Sequence, residues 1–180
     1  MPEFRLVTER LVLRSWRGED VAPFSRICAD PVVMATLGPV LDLERTRALV
    51  DRECGYEAQW GHTFWVVERR EDHRLIGKCG IVRGRIDPIL DKVEMGWRLA
   101  SDCWGHGYAT EAARACVDWA FGHLDDDAVW AVTAAANRGS RAVMDRIGMQ
   151  HLPRLDFDHP ALAEDDPLRP HVTYRLTRLA

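Results

Sequence analysis

Apolar residues recur along this chain in two rhythms, every second position in some stretches and every third or fourth in others. In Arg10 to Trp16 (RLVLRSW), Leu11 and Leu13 alternate with Val12 and Arg14, which predicts a strand. Gly18 breaks it, and from Glu19 to Ala29 the apolar Val21, Phe24, Ile27 and Cys28 share one helical face. Asp30-Pro31 stops that helix and can start a short second one. After a loop at Thr36 to Pro39, Asp42 is placed to cap a helix from Leu43 to about Gln59. His62 to Glu68 and Leu75 to Val82 then read as a hairpin, closed by a charged turn at Arg69 to Arg74. A further turn over residues 84–91 leads into a third strand, Lys92 to Leu99. Its alternation puts Val93, Met95, Trp97 and Leu99 on one face and Glu94, Gly96 and Arg98 on the other.

The clearest helix is Gly107 to Gly122, where Ala109, Ala112, Ala113, Cys116, Trp119 and Ala120 form a stripe. Thr110, Glu111, Arg114 and Asp118 face away from that stripe. Val129 to Ala135 is a strand, and Asn137 caps a helix that ends at Gly148. Two last strands, Gln150 to Phe157 and His171 to Arg178, flank a loop rich in Pro, His and acids. The strand-loop-helix-strand unit in the middle demands a parallel pair with antiparallel neighbours. The expected fold is therefore α/β (α+β): one domain over residues 1–180, a mixed sheet, and helices on both faces.

Composition narrows the function. Hydrophobic residues make up 47% and charged residues 29% of the 180 residues, the balance of a soluble globular domain. The formal net charge of −4 gives no electrostatic footprint for nucleic acid. No apolar run approaches the ~20 residues of a membrane span, and MPEFRLVTERLVL lacks the core of a signal peptide. The cytoplasm is the expected location, with no membrane partner. The five cysteines lie at irregular spacings without a C-x-x-C pair, and the seven histidines form no ligand pair, so no metal is expected.

Chemistry concentrates between Glu94 and Glu111, EMGWRLASDCWGHGYATE. A strand runs into a loop with Gly at 105 and 107, and a helix follows at once. That order aims the backbone N–H groups around His106 to Thr110 at one spot before the helix. Unpaired N–H groups and the positive end of the helix dipole favour an anion there, such as a pyrophosphate. The segment is neither a P-loop, since G-x-x-x-x-G-K-[ST] is absent, nor a three-glycine dinucleotide fingerprint.

Trp104-Gly105-His106-Gly107-Tyr108-Ala109 resembles the acetyl-CoA loop of the GNAT N-acetyltransferases, usually written [Q/R]-x-x-G-x-[G/A]. The surrounding EMGWRL and WGHGYATEA resemble its Rim-type branch, which includes enzymes that acetylate the N-termini of ribosomal proteins. TERLVLR, LIGKCGI and NRGSRAVMDRIGM extend the likeness over nearly the whole chain. Trp104 stands where the general pattern has Gln or Arg, although the Rim-type branch often carries an aromatic there.

The resemblance implies that the parallel pair is splayed. It implies that Gly105, His106, Gly107, Tyr108, Ala109 and Thr110 hold the pyrophosphate of acetyl-CoA, the cosubstrate, through backbone amides. The pantetheine arm would follow Met95, Trp97 and Leu99, and a backbone N–H there would polarise the thioester carbonyl. Asn137 matches an Asn that contacts CoA in the Rim-type branch, besides being a helix cap, and Ser140 lies one turn on. An amine of pKa ~8–10 needs a base before it can attack, and Glu94 is the candidate. The Tyr that many relatives use as general acid is replaced by Met144, which leaves Ser140, Cys103, water or no acid at all. The acceptor is a primary amine, on a small molecule or a protein N-terminus, near Trp16, Met34, Leu37 and the loop Asp158 to Arg169. The alternatives are transfer from another acyl-CoA, or a domain that binds acyl-CoA as a sensor without catalysis. Dimerisation is common in the family, and the sequence marks no patch for it.

Overall fold

The computed structural model describes residues 3–178; Met1 and Pro2, part of the segment read for a signal peptide, lie outside them. Nine strands form one sheet: β1 (Arg5–Val7), β2 (Leu11–Arg14), β3 (Phe64–Arg69), β4 (Leu75–Arg83), β5 (Val93–Leu99), β6 (Ala128–Ala134), β7 (Gln150–His151), β8 (Phe157–Asp158) and β9 (Pro170–Thr177). Their order across the sheet is β1-β2-β3-β4-β5-β6-β9-β7, with β8 also on β9. Every pairing is antiparallel except β5 with β6. Among the described residues five helices accompany it: α1 (Val21–Cys28), α2 (Pro31–Met34), α3 (Leu43–Trp60), α4 (Tyr108–His123) and α5 (Arg138–Arg146).

Two neighbours on β4 show that the sheet is covered on both sides. The Lys78 side chain meets Glu53 of α3, whereas the Cys79 sulfur lies 3.9 Å from Cys116 of α4. Successive strand residues point to opposite faces, so α3 and α4 sit on opposite faces. The α4 face carries Met95, Leu99, Ala112, Ala113 and Cys116, all buried in one large apolar core. Trp65 and Ile76 are fully buried in the same core.

Three features depart from the sequence reading. The segment from Glu19 to Ala29 opens as a 3-10 turn (Gly18–Asp20) before α1 begins. There Asp20 turns back to accept from the Arg17 N–H and to pair with the buried Arg14, which disfavours an ordinary first turn. Gln150 to Phe157 is not one strand but β7 and β8, split by a 3-10 turn at Pro153–Leu155, because proline cannot donate to a ladder. The short β1, which pairs with β2, carries too few residues to show a period.

Candidate active site

The chain leaves β5, makes a 3-10 turn at Ser101–Cys103 and enters α4 through two glycines in left-handed conformation, Gly105 at φ 79° and Gly107 at φ 81°. A side chain at either would be strained, whatever the room around it. The room exists: a Cβ on Gly105 would meet nothing within 4 Å. On Gly107 it would meet only Arg10 Nη2, at 3.5 Å. Gly107 caps α4 without a side-chain acceptor. Among the described residues, no backbone N–H from Gly105 to Thr110 finds an intramolecular acceptor. A helix start with this many free donors, and no side chain capping it, is suited to an anion.

The loop is held from behind by residues far away in the sequence. Arg10 Nη1 donates to the His106 carbonyl at 2.9 Å, and its guanidinium lies 4.7 Å from the Tyr108 ring centre. Glu111, read from the sequence as facing away, turns instead to this brace. It accepts from Thr8 Oγ1 at 2.6 Å, the Arg10 backbone N–H at 2.8 Å and Arg10 Nε at 2.7 Å. Burial pushes its carboxyl up, but the bonds from Thr8 and Arg10 outweigh that and hold it below its usual range. Nothing in the local pattern of TERLVLR announces this role, because its partner is a hundred residues on.

In front of the loop lies a cleft of about 830 Å³. Trp97, Leu99, Gly105, Gly107, Tyr108, Ala109, Thr110, Asn137 and Ser140 all line it, as the resemblance implied. Met95, His106 and Glu94 do not: Met95 is buried in the core, and the His106 ring stacks beside Tyr108. The cleft exists because β5 and β6 pair only at Val93–Val129 and Glu94–Trp130 and then part. The phase of the β4–β5 ladder decides what β5 shows to the gap. Gly84 N–H donates to Lys92 O, and Ala100 N–H to Ile76 O, so the even-numbered residues of β5 bond to β4. The backbone groups of Met95, Trp97 and Leu99 therefore face β6, where the partner strand has moved away. The Leu99 carbonyl is taken by Trp104 Nε1 at 3.0 Å, which fixes the exposed indole over the strand end.

The α5 wall is equally defined. Asn137 is buried; its Oδ1 accepts from Ser140 N–H at 3.0 Å and its Nδ2 donates to Thr133 Oγ1 at 3.0 Å. It is thus a helix cap that also borders the cleft. Met144 packs with Ala131, Met149, Val172 and Tyr174 in a small apolar cluster and offers no proton. Cys103 borders the cleft, but burial and the neighbouring Asp102 push its thiol up, so it is not a ready thiolate. The loop Asp158 to Arg169 contributes nothing to the lining, and Trp16 and Met34 are buried away from it; Leu37 does line it.

On the other side of the sheet, Glu94 sits half-buried at the last rung of the parallel pair. Burial raises its carboxyl to about 7, while Lys78 and Arg85 pull it down less strongly. Among the described residues its carboxylate has neither a hydrogen bond nor an ion pair. Nearby, Lys78 Nζ is closed on Glu53 at 2.7 Å, and Glu53 also accepts from Thr63 Oγ1 at 2.8 Å. Burial holds the Lys78 ammonium below its usual value, with Glu53 opposing and Arg98 assisting.

Comparison with known proteins agrees with this geometry. Residues 10–150 match the family described as Acetyltransferase (GNAT) domain. The chain is 34% identical over 148 residues to the uncharacterized protein YkkB of Bacillus subtilis (strain 168), covering 82% of this chain and 86% of that one. A crystal structure of an acetyltransferase from Agrobacterium tumefaciens str. C58 superposes with TM-score 0.78 and 30% identity over 97% of this chain and 95% of that one. The fold is shared with RimL, the ribosomal L7/L12 alpha-N-protein acetyltransferase in complex with coenzyme A: TM-score 0.77, 16% identity, 96% of each chain covered. With its open mixed sheet, parted parallel strands and uncapped helix start, the chain belongs to the GNAT family, as an acetyl-CoA-dependent N-acetyltransferase.

Proposed function

We propose that this protein moves an acetyl group from acetyl-CoA to a primary amine, with Glu94 as general base. The observation that carries the reading is the continuous path from the free N–H groups before α4, along the unpaired edge of β5, to the parting of the strands. The residues fit the group: a pyrophosphate accepts from the loop amides, and pantetheine amides pair with the Trp97 backbone. The solved complex of RimL with coenzyme A shows that a protein of this fold binds the group.

In this reading the amine reaches the thioester from the Glu94 side of the sheet. Glu94, with its carboxyl raised to about 7, takes a proton from the ammonium; the amine nitrogen then bonds to the acetyl carbon. The C–S bond breaks and the sulfur leaves as thiolate. The proton that the nitrogen gives up as it becomes an amide goes to water, or is relayed to the sulfur through water or Ser140 Oγ on the cleft wall. The raised carboxyl, unpaired at the strand junction, favours catalysis over a sensor that only binds acyl-CoA.

The test is isothermal titration with acetyl-CoA beside Gly107→Glu, followed by thiol release with a panel of amines. Micromolar binding lost in the variant, and amine-dependent CoA release by the wild type, would support the reading. A wild type that does not bind, or that binds and releases CoA with no amine, would sink it.

A further inference from the structure

The face of the sheet that carries Glu94 has a second group without a partner. Arg98 lies two steps further along β5, on the same face, with only Gly96 between them. Its Nη1 donates to a sulfur, Cys28 Sγ, at 3.1 Å, and its Nε is shut off from solvent with no hydrogen bond at all. Among the described residues Arg98 forms no ion pair. The carboxylate beside the neighbouring Lys78 is engaged elsewhere: Glu53 holds Lys78 and Thr63. A guanidinium is charged at every physiological pH and pairs best with an anion, so one without a partner at the border of a cleft is suited to an anionic ligand.

Arg98 also lines the cleft, beside Val32, Val33, Ala35, Thr36 and Leu37, none of which is charged. The other charged lining residues, Arg138 and Arg146, stand on the α5 wall with the pyrophosphate loop. Arg98 belongs to the opposite face, the one that holds the base. Between the two, the Phe64 ring lies across Gly96, 3.1 Å from where a Cβ would stand, and makes a flat apolar floor.

We infer that Arg98 binds a carboxylate on the acceptor. The acceptor class is then an amine that carries a free carboxylate several bonds away, its amine toward Glu94, rather than a plain amine or a peptide N-terminus. Glu94 and Arg98 Cα atoms are about 13 Å apart by strand rise. An acceptor that meets both groups therefore carries its carboxylate several bonds from its amine. A carboxylate supplies the two acceptors that a guanidinium fork matches best. This rests on the acetyl-transfer reading above, and deepens it.

The test offers ω-amino acids of increasing length, L-lysine among them, and their carboxamides to the enzyme at saturating acetyl-CoA, reading CoA release. The wild type is expected to favour the acid by about tenfold or more in kcat/KM for the amino acid it accepts. Arg98→Met should bring that ratio to about one, with acetyl-CoA affinity by calorimetry unchanged. Carboxamides used as well as acids by the wild type, or turnover of plain amines and peptides alone, would overturn the assignment. So would an Arg98→Met variant that mainly loses acetyl-CoA affinity, because the arginine would then serve the cosubstrate. If no amine releases CoA, acetyl transfer itself fails. The carboxylate site is then judged by calorimetry of N-acetyl-L-alanine against its amide on the CoA-loaded protein. Tighter binding of the acid in the wild type alone sustains the site, and equal binding removes it.

Discussion

In the proposed reading the two faces of the sheet recognise their ligands by different means. On the α4 side, recognition rests on backbone: free N–H groups of a left-handed loop and a strand edge laid bare where β6 departs. On the α1–α3 side it rests on side chains, with Glu94 and Arg98 unpaired around the closed Lys78–Glu53 pair. Backbone donors tolerate almost any residue that keeps the conformation, so one face can stay constant in chemistry while sequences drift. Side-chain recognition changes with a single codon. The contrast teaches why such a fold announces its cosubstrate and conceals its acceptor.

Substitutions that touch one face alone sharpen this contrast. The largest effect is expected at Glu94. Removing a general base commonly lowers turnover by about 10²–10⁴-fold, so Glu94→Gln should lose kcat and keep its acetyl-CoA affinity. The wild-type rate should rise with pH through about 7, as the carboxyl ionises, and the variant should lose that limb. A pH profile left intact in the variant would remove Glu94 from the mechanism.

A smaller effect belongs to the brace behind the loop. Arg10→Ala frees the His106 carbonyl and strips Glu111 of its one guanidinium donor, so KM for acetyl-CoA should rise by about tenfold, or ~1.4 kcal/mol. Here kcat should change little, and the KM for the amine not at all. Equal losses in both KM values would show that the brace holds the whole fold rather than one face.

Smallest of all is Asn137→Ala, which deletes the cap of α5 and the bond to Thr133. A lost cap costs about 1 kcal/mol, or a few degrees in Tm for a domain of this size. A thermal melt reads that directly. Acetyl-CoA affinity should move much less, and a loss there beyond tenfold would make Asn137 a cosubstrate ligand in its own right.

What the sequence made legible follows the same division. The helices α3, α4 and α5 announced themselves through period and caps, and Asp42 and Asn137 are the caps expected. Glycines at 105 and 107 before a helix foretold the loop, because a left-handed turn has few other solutions. The family likeness foretold where the strands part. The engagement of Glu111 with Thr8 and Arg10 was hidden, since no local pattern encodes a contact across that separation. Arg98 was equally hidden: alternation placed it on the face of Glu94, but only three-dimensional neighbours show that it lacks an anion.

The brace also bears on how the molecule assembles. Residues 8 and 10 grip Glu111 across separations of 103 and 101 positions, so the loop cannot take its final shape from α4 alone. It must wait until the beginning of the chain has docked on the middle, a late and slow kind of contact in a folding chain. In the proposed reading acetyl-CoA binds only after that closure, and so favours the closed chain by mass action. A conformational probe near Thr8 would therefore report cosubstrate occupancy.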